Sequence, residues 1–322
     1  MTPPASPHPP KPIPPVVLVV ATLLLFVVWS HTFLAFEVLL APKSGPAPLD
    51  WLDLVVARFV PVFAVCAVWC LGVKRKASLA IVRAHPRRLL LCGLLSVAAY
   101  NGFLYYGMQQ RVAGPIASLL TTLSPLYLLV LGVLALGERL TLRKGLGLAL
   151  GLGGVVLIAM SKKPAGGANA WPVVITALAP LSWAVHTTLT KRVTSTVSPV
   201  LWTYLVLLVG SVPFLLVPVF RGVDAFLRLT ATDVALVLYL SIFATVGGFA
   251  VWSWLLKYLP ASTVGLTVFL NPPLTTAGKY VLSTFLPGSF AFSISAQEWV
   301  GGALSLAGVA IAVLRRRTPR VS

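Results

Sequence analysis

Acidic residues are scarce in this sequence: seven Asp and Glu face 25 Lys and Arg in 322 residues, and charged residues of both signs make up only 10%. With so little charge and a mean hydropathy of +0.93, a soluble globular domain is excluded. The apolar runs are continuous and lack the alternation of lumen-facing and lipid-facing residues, which excludes a transmembrane barrel. Cysteine is rare too, and Cys66, Cys70 and Cys92 each fall inside an apolar run. They read as small buried hydrophobes, not as a disulfide framework or metal ligands. HExxH, a Walker sequence and any serine, aspartate or cysteine constellation at catalytic spacing are missing, which argues against an intramembrane enzyme and against direct drive by ATP.

What the chain does have is hydrophobic length. A bilayer core takes roughly 20 apolar residues per helix, and that window predicts an all-α integral membrane fold of ten transmembrane helices. They fall near 16–40, 52–73, 88–110, 113–135, 143–161, 171–190, 198–220, 234–257, 260–286 and 296–314. The first run is long for a signal peptide, has only Lys11 ahead of it and no convincing cleavage site after it, so it reads as a retained helix. Residues 1–15 are proline-rich and polar, as in a disordered tail, and 315–322 form a basic tail. Seventeen basic residues fall in the loops and tails on the N-terminal side, six on the other. The positive-inside rule then places both termini in the cytoplasm, in a bacterial inner membrane. The net charge of +18 orients the chain and attracts anionic lipid; it does not require nucleic acid.

The two halves repeat. GPIASLLTTLSPL lies over ASTVGLTVFLNPP at a shift of 147, matching Ser118 with Gly265, Leu123 with Leu270 and Pro125 with Pro272. After an insertion the shift becomes 154, which matches Gly147 with Gly301, Gly154 with Gly308, and Trp29 with Trp183. Residues 16–161 and 171–314 therefore read as two five-helix units. Five is odd, so the second unit enters the membrane inverted, the arrangement of secondary transporters with a midplane site between repeats. Pro125 and Pro272 fall mid-helix at matching positions. They are either hinges beside that site or packing kinks without function.

Trp29-Ser30, Arg58-Phe59, Ser124-Pro125, GERLT at 137–141 and the glycines 147, 151 and 154 together resemble the EamA-type drug/metabolite transporter family over nearly the whole chain after the tail. The resemblance implies two EamA-like repeats around a central cavity, working by alternating access, and no enzymatic activity or cofactor. Two features depart from the pattern: the second half has no GERLT, and His31-Thr32 stands where relatives commonly carry smaller or amide residues.

Ionisable groups at membrane depth need a partner or an aqueous cavity. Glu37, Arg58 and Lys279 share the outer third of the predicted bilayer, so Glu37 either pairs with one of the two bases as a clamp or gate, or lies among headgroups while the bases snorkel. His31 and His186 flank the midplane, as proton carriers or substrate ligands, or simply as bonds to neighbouring helices. Asn101 and Tyr105 share a helix face. With Trp29, Trp183, Trp252 and Asn271 they make an aromatic wall with a few polar groups, suited to small organic solutes. The function expected is a secondary exporter of amino acids or related metabolites, coupled to protons or to the substrate gradient, as a monomer or homodimer. A multidrug or organic cation exporter, a channel, or an intramembrane enzyme using His31, Glu37 or His186 are the alternatives.

Overall fold

A computed structural model describes residues 13–40, 49–109, 120–160, 170–285 and 295–313, and among these every regular element is helical. In the first half they are α1 (Pro15–Leu40), α2 (Trp51–Val73), the short basic α3 (Arg75–Ala84), α4 (Pro86–Tyr106), α5 (Ser124–Leu136) and α6 (Leu142–Met160). The second half has α7 (Ala170–Thr194), α8 (Pro199–Leu215), α9 (Ala231–Tyr258), α10 (Asn271–Phe285) and α11 (Ala296–Val313). Five helices among the described residues are long and apolar enough to cross a membrane: α1, α2, α4, α8 with its extension to Arg221, and α9.

Local chemistry sets the boundaries. Asp50 caps α2 by accepting from the Leu52 and Asp53 amides at 2.8 and 2.9 Å, and Asp53 answers onto the Asp50 amide. Thr230 and Asp233 make the same reciprocal box at the start of α9. Thr141 accepts from the Lys144 amide before α6, and Ser295 accepts from the Glu298 amide before α11, two caps 154 residues apart. Gly137 ends α5 at φ +65°, a left-handed conformation that glycine adopts without a Cβ clash.

Both mid-run prolines stand where a helix restarts. Residues 122–123 form a turn, and Pro125 occupies the first turn of α5. Ahead of α10, the chain runs through Ala261–Leu266 and a 3-10 segment, Thr267–Leu270, before Asn271 and Pro272 open the next helix. In a first turn the missing proline N–H costs no hydrogen bond, so in the second half the predicted fourth helix is divided ahead of its proline, and in the first half a turn immediately precedes Ser124-Pro125, with residues 113–119 of that predicted helix lying outside the described residues. The third helices match as well, with π-helical stretches at Leu94–Ala99 in α4 and Tyr239–Gly247 in α9.

The halves interlock reciprocally. α1 lies against α10 as α7 lies against α5; α2 lies against α9 as α8 lies against α4. α6 and α11 pack through glycines close enough for backbone contact: a Cβ on Gly147 would come 2.7 Å from the Gly308 carbonyl, and one on Gly154 would meet the Gly301 carbonyl. Contacts on α11 descend as those on α6 rise, so the two helices cross antiparallel. The two glycine pairs also exchange under the 154-residue shift.

Candidate functional site

Where the two halves meet, three indoles cluster. Trp29 of α1 lies 5.9 Å from Trp183 of α7 and 5.4 Å from Trp252 of α9, and the latter two are 5.6 Å apart, centroid to centroid. Trp29 and Trp183 are repeat partners that face each other. Each ring is oriented by a polar contact or a close neighbour. Trp29 Nε1 donates to the Ala244 carbonyl at 2.8 Å across a surface that Gly248 leaves free of a side chain, and Trp252 Nε1 donates to Thr187 Oγ1 at 3.3 Å. Phe249 stands edge-on to Trp183 at 4.9 Å, and Tyr100 reaches it at 5.6 Å. Such offset and edge-on pairs each add about 0.5–1.5 kcal/mol beyond burial.

The two histidines part company. His186 is buried, 5.3 Å from the Trp183 ring, with Nδ1 3.5 Å from Thr190 Oγ1. His31 is half-buried on another face of α1; its Nδ1 lies 2.7 Å from the Val27 carbonyl. A carbonyl only accepts, so that nitrogen carries the proton, and Nε2 packs against Gly278 of α10. The structure thus places His186, but not His31, against the indoles.

A second tier lies two turns from Trp29. Tyr105, 1% exposed, stacks on Trp51 at 6.3 Å and meets the edge of Phe36 at 5.9 Å. Arg58 of α2 donates through Nε to Thr245 Oγ1 at 2.8 Å, and its guanidinium lies over Phe36 and Phe59 at 5.8 and 5.4 Å. Asn101, one turn before Tyr105, is buried and donates to the Val97 carbonyl of its own helix at 2.7 Å. Near this core, Asn271 Oδ1 at the start of α10 is buried with no hydrogen-bond partner among the described residues, and the buried Tyr105 hydroxyl lies beside the Arg58 guanidinium. Lys279 is half-buried two turns further along α10. The Glu37 side chain expected to clamp it or Arg58 lies outside the described residues.

One polar cluster escaped sequence reasoning, which had noticed GERLT only as a family mark. Glu138, next to the left-handed Gly137, accepts the Ala261 amide at 2.6 Å and the Ser262 amide at 3.3 Å, bonds the Ser262 hydroxyl, and pairs with Lys144 Nζ at 3.3 Å. Lys144 also donates to Ser262 Oγ at 2.6 Å. The carboxylate of the first half thereby caps the broken helix of the second, where the helix dipole favours negative charge. Beside it, Lys191 donates to the Leu256 and Leu259 carbonyls that end α9, and Arg192 to the Ala135 carbonyl that ends α5. These groups line a cleft of about 470 Å³ with Leu136, Tyr258 and Pro260. At the opposite end, Arg221 bonds Asp50 at 2.7 Å and approaches Asp53 at 3.6 Å. Both ends of the bundle therefore carry charged ties between the halves.

The profile of the EamA-like transporter family matches twice, over residues 16–160 and 170–314. The chain belongs to the EamA-like transporter family. Among curated relatives, the probable terminal-alkyne amino-acid exporter of Streptantibioticus cattleyicolor is 29% identical over 92% of this chain and 93% of its own. The probable amino-acid metabolite efflux pump of Salmonella typhimurium is 25% identical over 93% of this chain and 97% of its own. A solved crystal structure superposes with a TM-score of 0.72 at 20% identity, covering 92% of this chain and 96% of that one, which shows the fold. This EamA-like chain is thus an integral membrane transporter for small molecules, in which two matched halves meet at a set of tryptophans.

Proposed function

We propose that this EamA-like protein is a secondary exporter of amino acids or closely related metabolites, built as ten transmembrane helices in two inverted repeats that work by alternating access. The observation that carries the reading is the reciprocal antiparallel packing of α6 on α11, because a twofold axis perpendicular to those helices lies in the membrane plane. Inverted repeats about such an axis exchange outward- and inward-open shapes while the midplane site stays fixed. The relatives named above, matched from end to end, supply the substrate class.

In this reading the indoles and Tyr100 are the floor of the substrate site, Asn101, Tyr105, His186 and Asn271 supply its polar contacts, and His31 binds substrate from the α1–α10 face. Pro125 and Pro272 mark where each divided helix bends. Positive-inside topology puts the Glu138 cluster at the cytoplasmic face with both termini, so the conformer described is latched on the inside. Glu37 and Lys279 act near the outer mouth. A thermal-shift screen of the purified protein against L-amino acids, their derivatives and organic cations tests the reading. A ligand at a hundred times its Kd stabilises by about 2.7 kcal/mol, several degrees in Tm. Stabilisation by amino acids supports the proposal; stabilisation by organic cations alone replaces it with a drug exporter.

A further inference from the structure

The elbow between α2 and α4 concentrates positive charge: Lys74, Arg75, Lys76, Arg83, Arg87 and Arg88 fall within residues 74–88, and all are exposed. α3 turns Ser78, Ile81 and Val82 inward, the last two against the cluster around Trp202 of α8. Lys76, Leu79 and Arg83, at i, i+3 and i+7, therefore share the outward face. The chain's seven acidic residues do not balance these bases, because six of them belong to the other end of the bundle. Asp50 and Asp53 open α2, about 33 Å from Lys74 at 1.5 Å per residue; Arg221 ties to both, and Asp224 and Asp233 follow it before α9 sets off. Glu37 follows Phe36, which lies under Arg58 in the outer tier, and Glu298 opens α11, antiparallel to α6 and so away from Glu138. Glu138 shares the end of the bundle where the elbow lies but is taken by Lys144, Ala261 and Ser262. Directly beneath the bases, Val68, Leu71 and Val73 of α2 and Leu90 and Leu91 of α4 are exposed. Both helices are long and apolar enough to cross a membrane, so these side chains meet acyl chains while the bases stand at headgroup depth.

We propose that the elbow formed by α2, α3 and α4 is a binding site for anionic phospholipids, in which Lys76, Arg83 and Arg87 hold the headgroup phosphate and the acyl chains lie along the exposed apolar side chains beneath. A membrane lipid fits better than a soluble phosphate because the charge and the apolar surface are continuous, and only a lipid uses both. Arg87 adds a further reason: it stands in the first turn of α4 beside Pro86, where His85 supplies no side-chain cap and the helix dipole disfavours a cation. A phosphate at that turn answers the guanidinium and the dipole together. Each base close to an anionic headgroup is worth about fivefold in affinity, so several acting together discriminate strongly between charged and zwitterionic lipid. The inference does not depend on which solute the indole site takes.

The test uses the full-length protein in a neutral detergent, titrated with phosphatidylglycerol, cardiolipin, phosphatidylcholine and water-soluble glycerol 3-phosphate. Bound lipid is counted by native mass spectrometry, and Tm is recorded alongside. The two anionic lipids are expected to bind at least about tenfold more tightly than phosphatidylcholine and to lose most of that preference in about 0.5 M salt. Lys76→Gln, Arg83→Gln and Arg87→Gln combined, all at exposed positions, are expected to weaken anionic-lipid binding at least about tenfold and to leave phosphatidylcholine binding unchanged. Should the triple variant fail to fold, Arg83→Gln alone repeats the test with an expected loss of about fivefold. A control removes three exposed charges elsewhere, by Arg139→Gln, Arg143→Gln and Arg228→Gln, and is expected to keep the preference. Equal binding of charged and zwitterionic lipid by the parent protein overturns the site. Equal weakening in the control also overturns it, because net charge alone then accounts for the effect. Stabilisation by glycerol 3-phosphate as strong as that by phosphatidylglycerol overturns the lipid as occupant.

Discussion

The tie between Glu138 and the second half can be cut by one atom exchange. In the conformer described, the Glu138 and Lys144 side chains are each only 11% exposed, so solvent screens their attraction weakly. Removing one member of a buried pair costs about 3–5 kcal/mol because the other charge is left unpaired, and losing the cap on Ala261 and Ser262 adds about 1 kcal/mol. Glu138→Ala is therefore expected to weaken the latched state by at least about 4 kcal/mol. Glu138→Gln keeps an acceptor for the Ala261 amide and loses about half of that. If the latch exists in one conformer only, 4 kcal/mol shifts its population roughly a thousandfold against the open one. The assay is modification of Leu136→Cys, in the cleft beside Glu138, by a membrane-impermeant maleimide applied to the cytoplasmic face of inside-out vesicles. Cys66, Cys70 and Cys92 are buried and stay silent. Labelling in the Glu138→Ala background is expected to be at least about tenfold faster, and Lys144→Met added to Glu138→Ala is expected to restore the slower rate, since an apolar replacement leaves no orphan charge. Equal labelling rates with and without Glu138, in folded protein, would refute the latch.

Gly154→Ala drives a methyl into the Gly301 backbone and is expected to abolish folded protein by size-exclusion, whereas Gly153→Ala, with open space around its Cβ, is expected to raise Tm slightly by improving helix propensity. Trp29→Phe removes the Ala244 hydrogen bond and part of the indole face; transport is expected to fall with a raised KM while expression holds, and an unchanged KM would take Trp29 out of the site. At Asp50, burial pushes the carboxyl pKa up, but hydrogen bonds from Arg221 and from the Leu52 and Asp53 amides outweigh it and hold the group below its usual 3.8. A lowered pKa stabilises the fold above the unfolded value and is lost as pH falls through the folded one. The Tm gap between the parent and Asp50→Asn is therefore expected to be full at pH 6 and to narrow as pH falls through 3.8 and below; a gap independent of pH would show that the carboxylate charge contributes nothing.

Hydrophobic length located the helices well because each needs its own apolar run; the start of α2 at Trp51 and the end of α9 at Tyr258 fall within a residue of expectation. The repeat was legible in Pro125 and Pro272 and in the glycines, since only small residues allow α6 and α11 to touch. Trp29 and Trp183 were legible as partners for the same reason. What the sequence hid was direction in space. His31 and His186 look alike as letters, yet one turns to α10 and the other to the indoles, a matter of helix rotation that an all-round apolar helix does not encode. Glu138 was hidden because its partners in the other half, Ala261 and Ser262, lie more than a hundred residues away and offer it mainly backbone amides, which carry no side-chain signature. The burial of the Tyr105 hydroxyl beside Arg58 is likewise visible only once its surroundings are packed.

The central claim, that two inverted repeats pass an amino-acid metabolite across the membrane by alternating access, is tested most directly by counterflow. Proteoliposomes preloaded with an unlabelled amino acid that stabilises the protein are diluted into a trace of the labelled compound. A carrier is expected to accumulate label transiently above its outside concentration, saturably and without added ATP. Label that merely equilibrates would indicate a channel, and label recovered as a different compound an enzyme; either result would contradict the account.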